Sequence, residues 1–384
     1  MTQPATQSRG VRLVLCLALL GGCGDDTATP DRSAQGTAAD QESAAAVLNI
    51  YNWSDYIAPD TIADFERETG IKVNYDVFDT NEVLEAKLLA GHSGYDIVVP
   101  SADFVARQVQ AGLLQPIDRA RLSGFDNLDP MLLDLMQTYD PGNRYAVPYM
   151  WGTTGIGYNR QRIAERFSGA APLSWDLLLD AASAARIADC GIALVDAPAE
   201  VFPTVLHYLG LPPNSRDPAH LAQAEALLHG VRPSIRYFHS SQYINDLANG
   251  EICAAFGWNG DVLQARDRAR EAANGQDVAY FVPREGSMLW VDVLAIPVDA
   301  PHVDNAHRFI DYILRPAVAA SISNAVNYAS ANRTAEPLVE VRLRQDPGVY
   351  PDPAARARLF AVTATTPDYE RLRTRAWTRI KTGH

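Results

Sequence analysis

The sequence predicts an α/β protein of two lobes, each built on a sheet rich in parallel strands with helices on its faces. Three observations carry this. From residue 47 onward short apolar runs alternate with capped helical stretches, the order that builds parallel sheets. The chain has 384 residues, enough for two lobes that each bury a core. Residues 145–159 form an extended stretch with interspersed glycines, too long for one short strand, which reads as a strand crossing between lobes.

The first residues stand apart from this pattern. Arg9 and Arg12 give a basic start, and residues 11–20 are an apolar run of signal-peptide length, too short to span a bilayer. Leu20-Gly21-Gly22-Cys23 resembles a bacterial lipobox, so 1–23 is expected to be a lipoprotein signal peptide with Cys23 as the lipidated residue. A plain signal peptide cleaved after a small residue is the alternative. Residues 24–46 are polar and aperiodic and read as a disordered tether. Either leader exports the folded part. With Cys16 and Cys23 assigned to the leader, Cys190 and Cys253 remain, a pair that in an oxidising compartment suggests one disulfide, or else two buried thiols.

The elements follow in order. Residues 47–51 are the first strand. A helix runs over 60–69 to the stop at Gly70, and 71–77 alternate with period two as a strand. Asp79-Thr80-Asn81-Glu82 reads as a capping box opening a helix that ends at Gly91. Residues 95–99 are a buried strand, and 100–104 are the next loop and helix start, with Asp103 either a helix cap or part of a site. After the crossing strand come a helix from Ser174 to about Ala188, a strand at 191–195, helices over 200–209 and 220–230, and a strand at 236–238. A helix capped by Ser240-Ser241, a strand at 252–257 and a helix from Asp261 follow. Strands at 279–282 and 289–296, a helix over 303–314, Tyr328 in a loop and a basic helix over 367–381 complete the chain. The basic run of that last helix reads as a solvated face.

Trp and Asp recur together at strand ends, where ligands bind in open α/β sheets. Trp53-Ser54-Asp55-Tyr56 follows the first strand, Ser101, Asp103 and Phe104 follow another, and Trp258 precedes Asp261. Trp290 stands two residues before Asp292 inside an apolar strand, where an unpaired charge is costly. Each pairing taken alone is also explained as core packing beside a helix or turn cap. Their recurrence favours a site for an organic cation, since ring faces attract positive charge and carboxylates pair with it.

Other chemistry finds little support. The net charge of −13 argues against nucleic acid as a partner. There is no Gly-x-Ser-x-Gly elbow and no P-loop, and Gly155-x-Gly157 lacks the third glycine of a dinucleotide fingerprint. The eight histidines are scattered without metal-ligand spacing, so no metal and no cofactor is expected. Nothing in the spacing of the carboxylates supports a glycosidase pair.

The strings YNWSDYIAPDT, YDVFDTNEVLEAKLLAG, VVPSADF, VPYMWGTTGIGYN, RYFHSSQYINDLANG, GWNGDV and RTRAWTRIK resemble the periplasmic polyamine-binding proteins of ABC importers, the putrescine-binding branch above all. The likeness runs from about residue 47 to the C-terminus. It implies a type II periplasmic binding protein fold, with parallel-rich mixed sheets in two lobes and a ligand cleft between them. Lobe 1 is expected over 47–150 plus about 270–340, and lobe 2 over 151–269 plus about 341–384. Carried over residue by residue, the resemblance implies a ligand set of Trp53, Ser54, Asp55, Tyr56, Ser101, Phe104, Glu200, Ser240, Trp258, Asp261, Trp290, Asp292 and Tyr328, with a Cys190–Cys253 disulfide. Two positions depart from the branch, which has Ser in place of Asp103 and Phe in place of Trp290. Asp103 joins the candidate set because an added carboxylate suits a longer cation such as spermidine, although it could equally be a cap pointing away.

The expected protein is thus a non-enzymatic, monomeric receptor. It captures putrescine or a related polyamine in the periplasm, is held to a membrane by the lipid on Cys23, and delivers its ligand to ABC permease subunits. Asp261 and Asp292 are expected to hold one ammonium, with Asp55, Ser54 and Glu200 toward the other. A polyamine sensor acting through a signalling partner, or an exported carboxylate-dependent enzyme, are the competing readings.

Overall fold

The computed structural model describes residues 46–169 and 172–383. The expected signal peptide, lipidated Cys23 and nearly all of the tether lie outside the described residues. Among the described residues no helix is long and apolar enough to cross a membrane.

The strands are β1 (Val47–Trp53), β2 (Lys72–Phe78), β3 (Ile97–Val98), β4 (Ala146–Asn159), β5 (Ile192–Leu194), β6 (Ile235–Phe238), β7 (Ala254–Trp258), β8 (Val278–Phe281), β9 (Ser287–Ala295), β10 (Ala329–Ser330) and β11 (Leu359–Phe360). Eight of them follow the order β2-β1-β3-β9-β4-β7-β5-β6, while β8 and β10 pair with β4 and β11 with β9 off this path. One half is parallel over β2, β1 and β3, and the other over β6, β5 and β7. Antiparallel β4 and β9 join the halves.

β4 is the long crossing strand expected from the glycine-spaced stretch. Its first part, 146–153, pairs with β9, and its second part, 154–159, pairs with β7 on one edge and β8 on the other. All fourteen residues are buried, as a strand at the centre of both halves must be. β8 therefore belongs with the second half-sheet, although the expected lobe bounds put residues 278–281 with lobe 1; its partner is the far end of β4, after the crossing.

Helix ends follow local chemistry. Helix Thr61–Thr69 stops at Gly70, which takes the left-handed conformation at φ 72° that glycine adopts without penalty. The stretch expected as one helix from Ser174 is two, Asp176–Leu179 and Ala181–Ile187, because Asp180 leaves helical geometry and caps the second through Ser183 N at 2.8 Å. Helix Pro367–Thr382 packs on helices Pro218–Val231 and Pro198–Tyr208. Its basic run is not simply a solvated face. Arg373 is buried against Glu370, Arg379 pairs with Glu225, and Lys381 pairs with Asp196 at 2.8 Å. Cys190 and Cys253 form a disulfide with Cα atoms 5.6 Å apart, joining the turn before β5 to the residue before β7.

Candidate functional site

The carboxyl ends of the parallel strands from both halves converge on a cavity. β1 delivers Trp53, Ser54 and Tyr56. β2 ends in Phe78 and is followed by Asp79, and the residue before helix Ala102–Gln110 is Ser101. From the other half, β7 delivers Trp258 and then Asp261 in the first turn of helix Asn259–Glu271. Glu200 sits in helix Pro198–Tyr208, while Ser240, Ser241 and Ile244 begin the segment after β6. Trp290 and Asp292 come from β9, and Tyr328 precedes β10.

Two glycines permit this crowding. A Cβ on Gly260 would stand 2.5 Å from the Tyr328 ring, and one on Gly152 would stand 2.5 Å from Trp290. The chain is bare at both points so that the rings can lie against backbone.

Three carboxylates are buried in the walls. Asp292 accepts from Ser101 Oγ at 2.6 Å, and Ser101 is itself fixed by Asn81, whose amide donates to Oγ and whose carbonyl accepts from Ser101 N, both at 2.9 Å. Asp261 accepts from Tyr328 Oη at 2.6 Å and Tyr243 Oη at 2.8 Å. Glu200 accepts from Thr154 Oγ1 at 2.6 Å and from Trp258 Nε1 at 2.8 and 2.9 Å. Hydrogen bonds stabilise the charged form of each, yet burial dominates. It pushes Asp261 and Asp292 up to about 7 and Glu200 up to about 8. No lysine or arginine is among the lining residues, so the carboxylates have only neutral donors around them.

The aromatic walls close around these groups. Trp53 and Trp258 meet edge to face at 5.8 Å, Tyr56 and Tyr328 at 5.1 Å, and Trp290 and Tyr328 at 5.3 Å. Trp53 is held by its Nε1 donating to Val99 O at 2.8 Å, and Phe78 packs on it at 4.6 Å. A cavity with fixed carboxyl groups and ring faces, and no positive side chain of its own, is complementary to an organic cation with an apolar middle.

Eleven of the fourteen expected site residues line the cavity, and Asp55, Asp103 and Phe104 do not. Asp55 adopts φ 53°, a left-handed conformation uncommon outside glycine, and its carboxylate is exposed and pairs with Arg268 at 2.9 Å. The place expected for Asp55 is taken by Asp79. Thr80, not Asp79, caps helix Asn81–Leu89, its Oγ1 accepting from Val83 N at 3.2 Å, which leaves the Asp79 carboxylate free to face the cavity and accept from Ser54 Oγ at 3.0 Å. The expected capping box is thus not formed: the cap is Thr80, and the residue three on, Val83, has no side-chain acceptor to return the bond. A second acceptor standing beside the cap was the available signal.

Asp103 is not a cap either; it lies one residue inside helix Ala102–Gln110, whose N-cap position is Ser101. With Phe104 it lines a smaller neighbouring cavity beyond Trp53, Ser101, Glu200 and Trp258, which both cavities share. Burial pushes Asp103 up to about 6, with Arg107 and Arg373 opposing. Phe104 is buried beneath the Arg107 guanidinium, 3.8 Å from its ring centre.

This architecture defines a class. Residues 60–351 match the bacterial extracellular solute-binding proteins, and the chain belongs to that family. Among its relatives is the putrescine-binding periplasmic protein PotF of Escherichia coli K12, 55% identical over 338 residues that cover 88% of this chain and 91% of that one. Among solved structures it is similar to a putative spermidine/putrescine ABC transporter from Listeria monocytogenes, with a TM-score of 0.79, 32% identity and coverage of 88% and 100% of the two chains. The Tp0655 (TpPotD) lipoprotein of Treponema pallidum also matches, at a TM-score of 0.72 and 27% identity over 88% of this chain and 99% of that one.

Proposed function

We propose that the protein is a non-enzymatic extracytoplasmic receptor that captures a polyamine, putrescine foremost, and delivers it to an ABC permease. One observation carries the reading: Glu200, Asp261 and Asp292 are buried in an aromatic cavity lined by no cationic side chain. A diamine supplies the missing charges at its two ends and methylenes for the rings between. Asp261 and Asp292 hold one ammonium. Glu200, with Asp79 and Ser54 at the rim, lies toward the other, and Trp53, Tyr56, Trp258, Trp290 and Tyr328 enclose the chain. The PotF relative, named for putrescine binding, supports the choice of ligand.

The receptor works in the periplasm as a monomer, tethered to a membrane by a lipid on Cys23. The lipobox-like Leu20-Gly21-Gly22-Cys23 and the lipoprotein named among the solved relatives support the tether. Calorimetric titration with putrescine, cadaverine, spermidine and spermine tests the function. Saturable binding with putrescine among the tightest is expected. Absence of binding to all four overturns the reading.

A further inference from the structure

Two helices beside the cleft begin in the same way. Before helix Asn81–Leu89 two acceptors stand together, Asp79 and Thr80, and Thr80 does the capping. Before helix Gln242–Asn249 the N-cap position is Ser241, yet its hydroxyl makes no cap. The ring of His239 does so instead, Nδ1 accepting from Ser241 N at 3.0 Å and from Gln242 N at 3.1 Å. An imidazole nitrogen that accepts two N–H bonds carries no proton, so the ring is the Nε2–H tautomer.

Capping by neighbours releases both side chains toward the cavity, and there they meet. Ser241 Oγ donates to Asp79 Oδ1, the same oxygen that accepts from Ser54 Oγ at 3.0 Å. The strands that precede them, β2 and β6, stand at opposite ends of the strand order. The bond therefore joins the two outermost strands of the molecule across the mouth of the cavity, and it joins protein to protein rather than protein to solute.

We propose that Asp79 and Ser241 form a latch that holds the cleft shut over its solute, anchored by Ser54, with His239 as the positioning residue that frees Ser241 for it. The choice of test ligand rests on the polyamine reading; the latch itself does not. Formed only when the lobes meet, it acts on escape of the solute rather than on entry, and a charge-assisted bond in this place is worth about a tenfold change in rate.

Putrescine dissociation and association, followed by stopped-flow tryptophan fluorescence, test it. Ser241→Ala is expected to speed dissociation about tenfold and to leave association and the melting temperature of the ligand-free protein in place. His239→Ala is expected to reproduce the faster dissociation, and His239→Asn, which restores a short capping acceptor, to recover the wild-type rate. Unchanged dissociation in Ser241→Ala overturns the proposal, as does an equal loss in the melting temperature of the free protein. Wild type that binds no polyamine contradicts the function instead. The latch is then decided by an Asp79→Cys, Ser241→Cys double variant, which a short bifunctional thiol reagent crosslinks if the two loops meet and leaves open if they do not.

Discussion

Two groups of acids stand side by side in this molecule, one buried and one half-buried, separated by the wall of Trp53, Ser101, Glu200 and Trp258. In the main cavity Glu200, Asp261 and Asp292 face hydroxyls, an indole and rings. Beyond the wall Glu82, Glu85, Asp103 and Glu370 are gathered around two guanidiniums. Arg107 pairs with Glu85 and, at 3.0 Å, with Glu370, and Arg373 pairs with Glu370 at 2.8 Å. The second group brings its own cations and joins helix Ala102–Gln110 to helix Pro367–Thr382. The first lacks them. Clustered carboxylates are common to both; what separates a binding site from a structural ion cluster is whether cations of the chain already pair with them.

The comparison can be broken most directly in the main cavity. Asp292→Asn or Asp261→Ala is expected to weaken putrescine binding about tenfold or more in calorimetry, since each removes a charge-assisted contact worth about 1.5–3 kcal/mol. Unchanged affinity would take that residue out of the site. A smaller effect is expected across the wall. Arg107→Ala leaves Glu85, Asp103 and Glu370 with Arg373 alone, which favours a cation reaching through, so the ratio of spermidine to putrescine affinity should rise about threefold. An unaltered ratio would mean that the neighbouring cavity is closed to ligand. Smallest of all, Asp103→Ser should change putrescine affinity by less than about twofold, because Asp103 lines the neighbouring cavity and not the main one. A tenfold loss would place Asp103 in the site after all.

These residues also show how far the sequence could be read. The alternation of strands and helices, the crossing strand and the recurrent Trp-with-Asp pairs were legible, because strand ends and periodicity are local properties. Asp55 and Asp79 were not distinguishable in the same way. Which of them faces the cavity depends on a positive φ at Asp55, its exposed pairing with Arg268, and the choice of Thr80 as the cap. The first two are set by tertiary contacts, and the third by a competition between adjacent acceptors that propensity does not decide. The surroundings of Asp103 were hidden in part for a similar reason: Arg107 stands four residues on in the same helix, but Arg373 is 270 positions away in a helix whose basic run reads as solvent-facing.

The unanswered charge has a pH signature. Asp261 and Asp292, pushed up to about 7, and Glu200, pushed up to about 8, hold protons near neutrality that the unfolded chain would have released. At these three groups the folded, ligand-free protein binds more protons than the unfolded one between about pH 4 and 8, and their contribution to stability falls as pH rises through that window. A bound dication pairs with the ionised carboxylates, so it must expel protons, and its affinity rises with pH across the same range. Thermal melts of the free protein from pH 5 to pH 8 should show the decline, and should show less of it in Asp292→Asn.

The most direct test is calorimetric titration of putrescine at pH 6.5 in two buffers of different ionisation enthalpy. Binding with net proton release, seen as heats that differ between the buffers, is the predicted result. Putrescine that fails to bind, or binds with the same heat in both, would contradict a cavity built from buried carboxylates awaiting a cation.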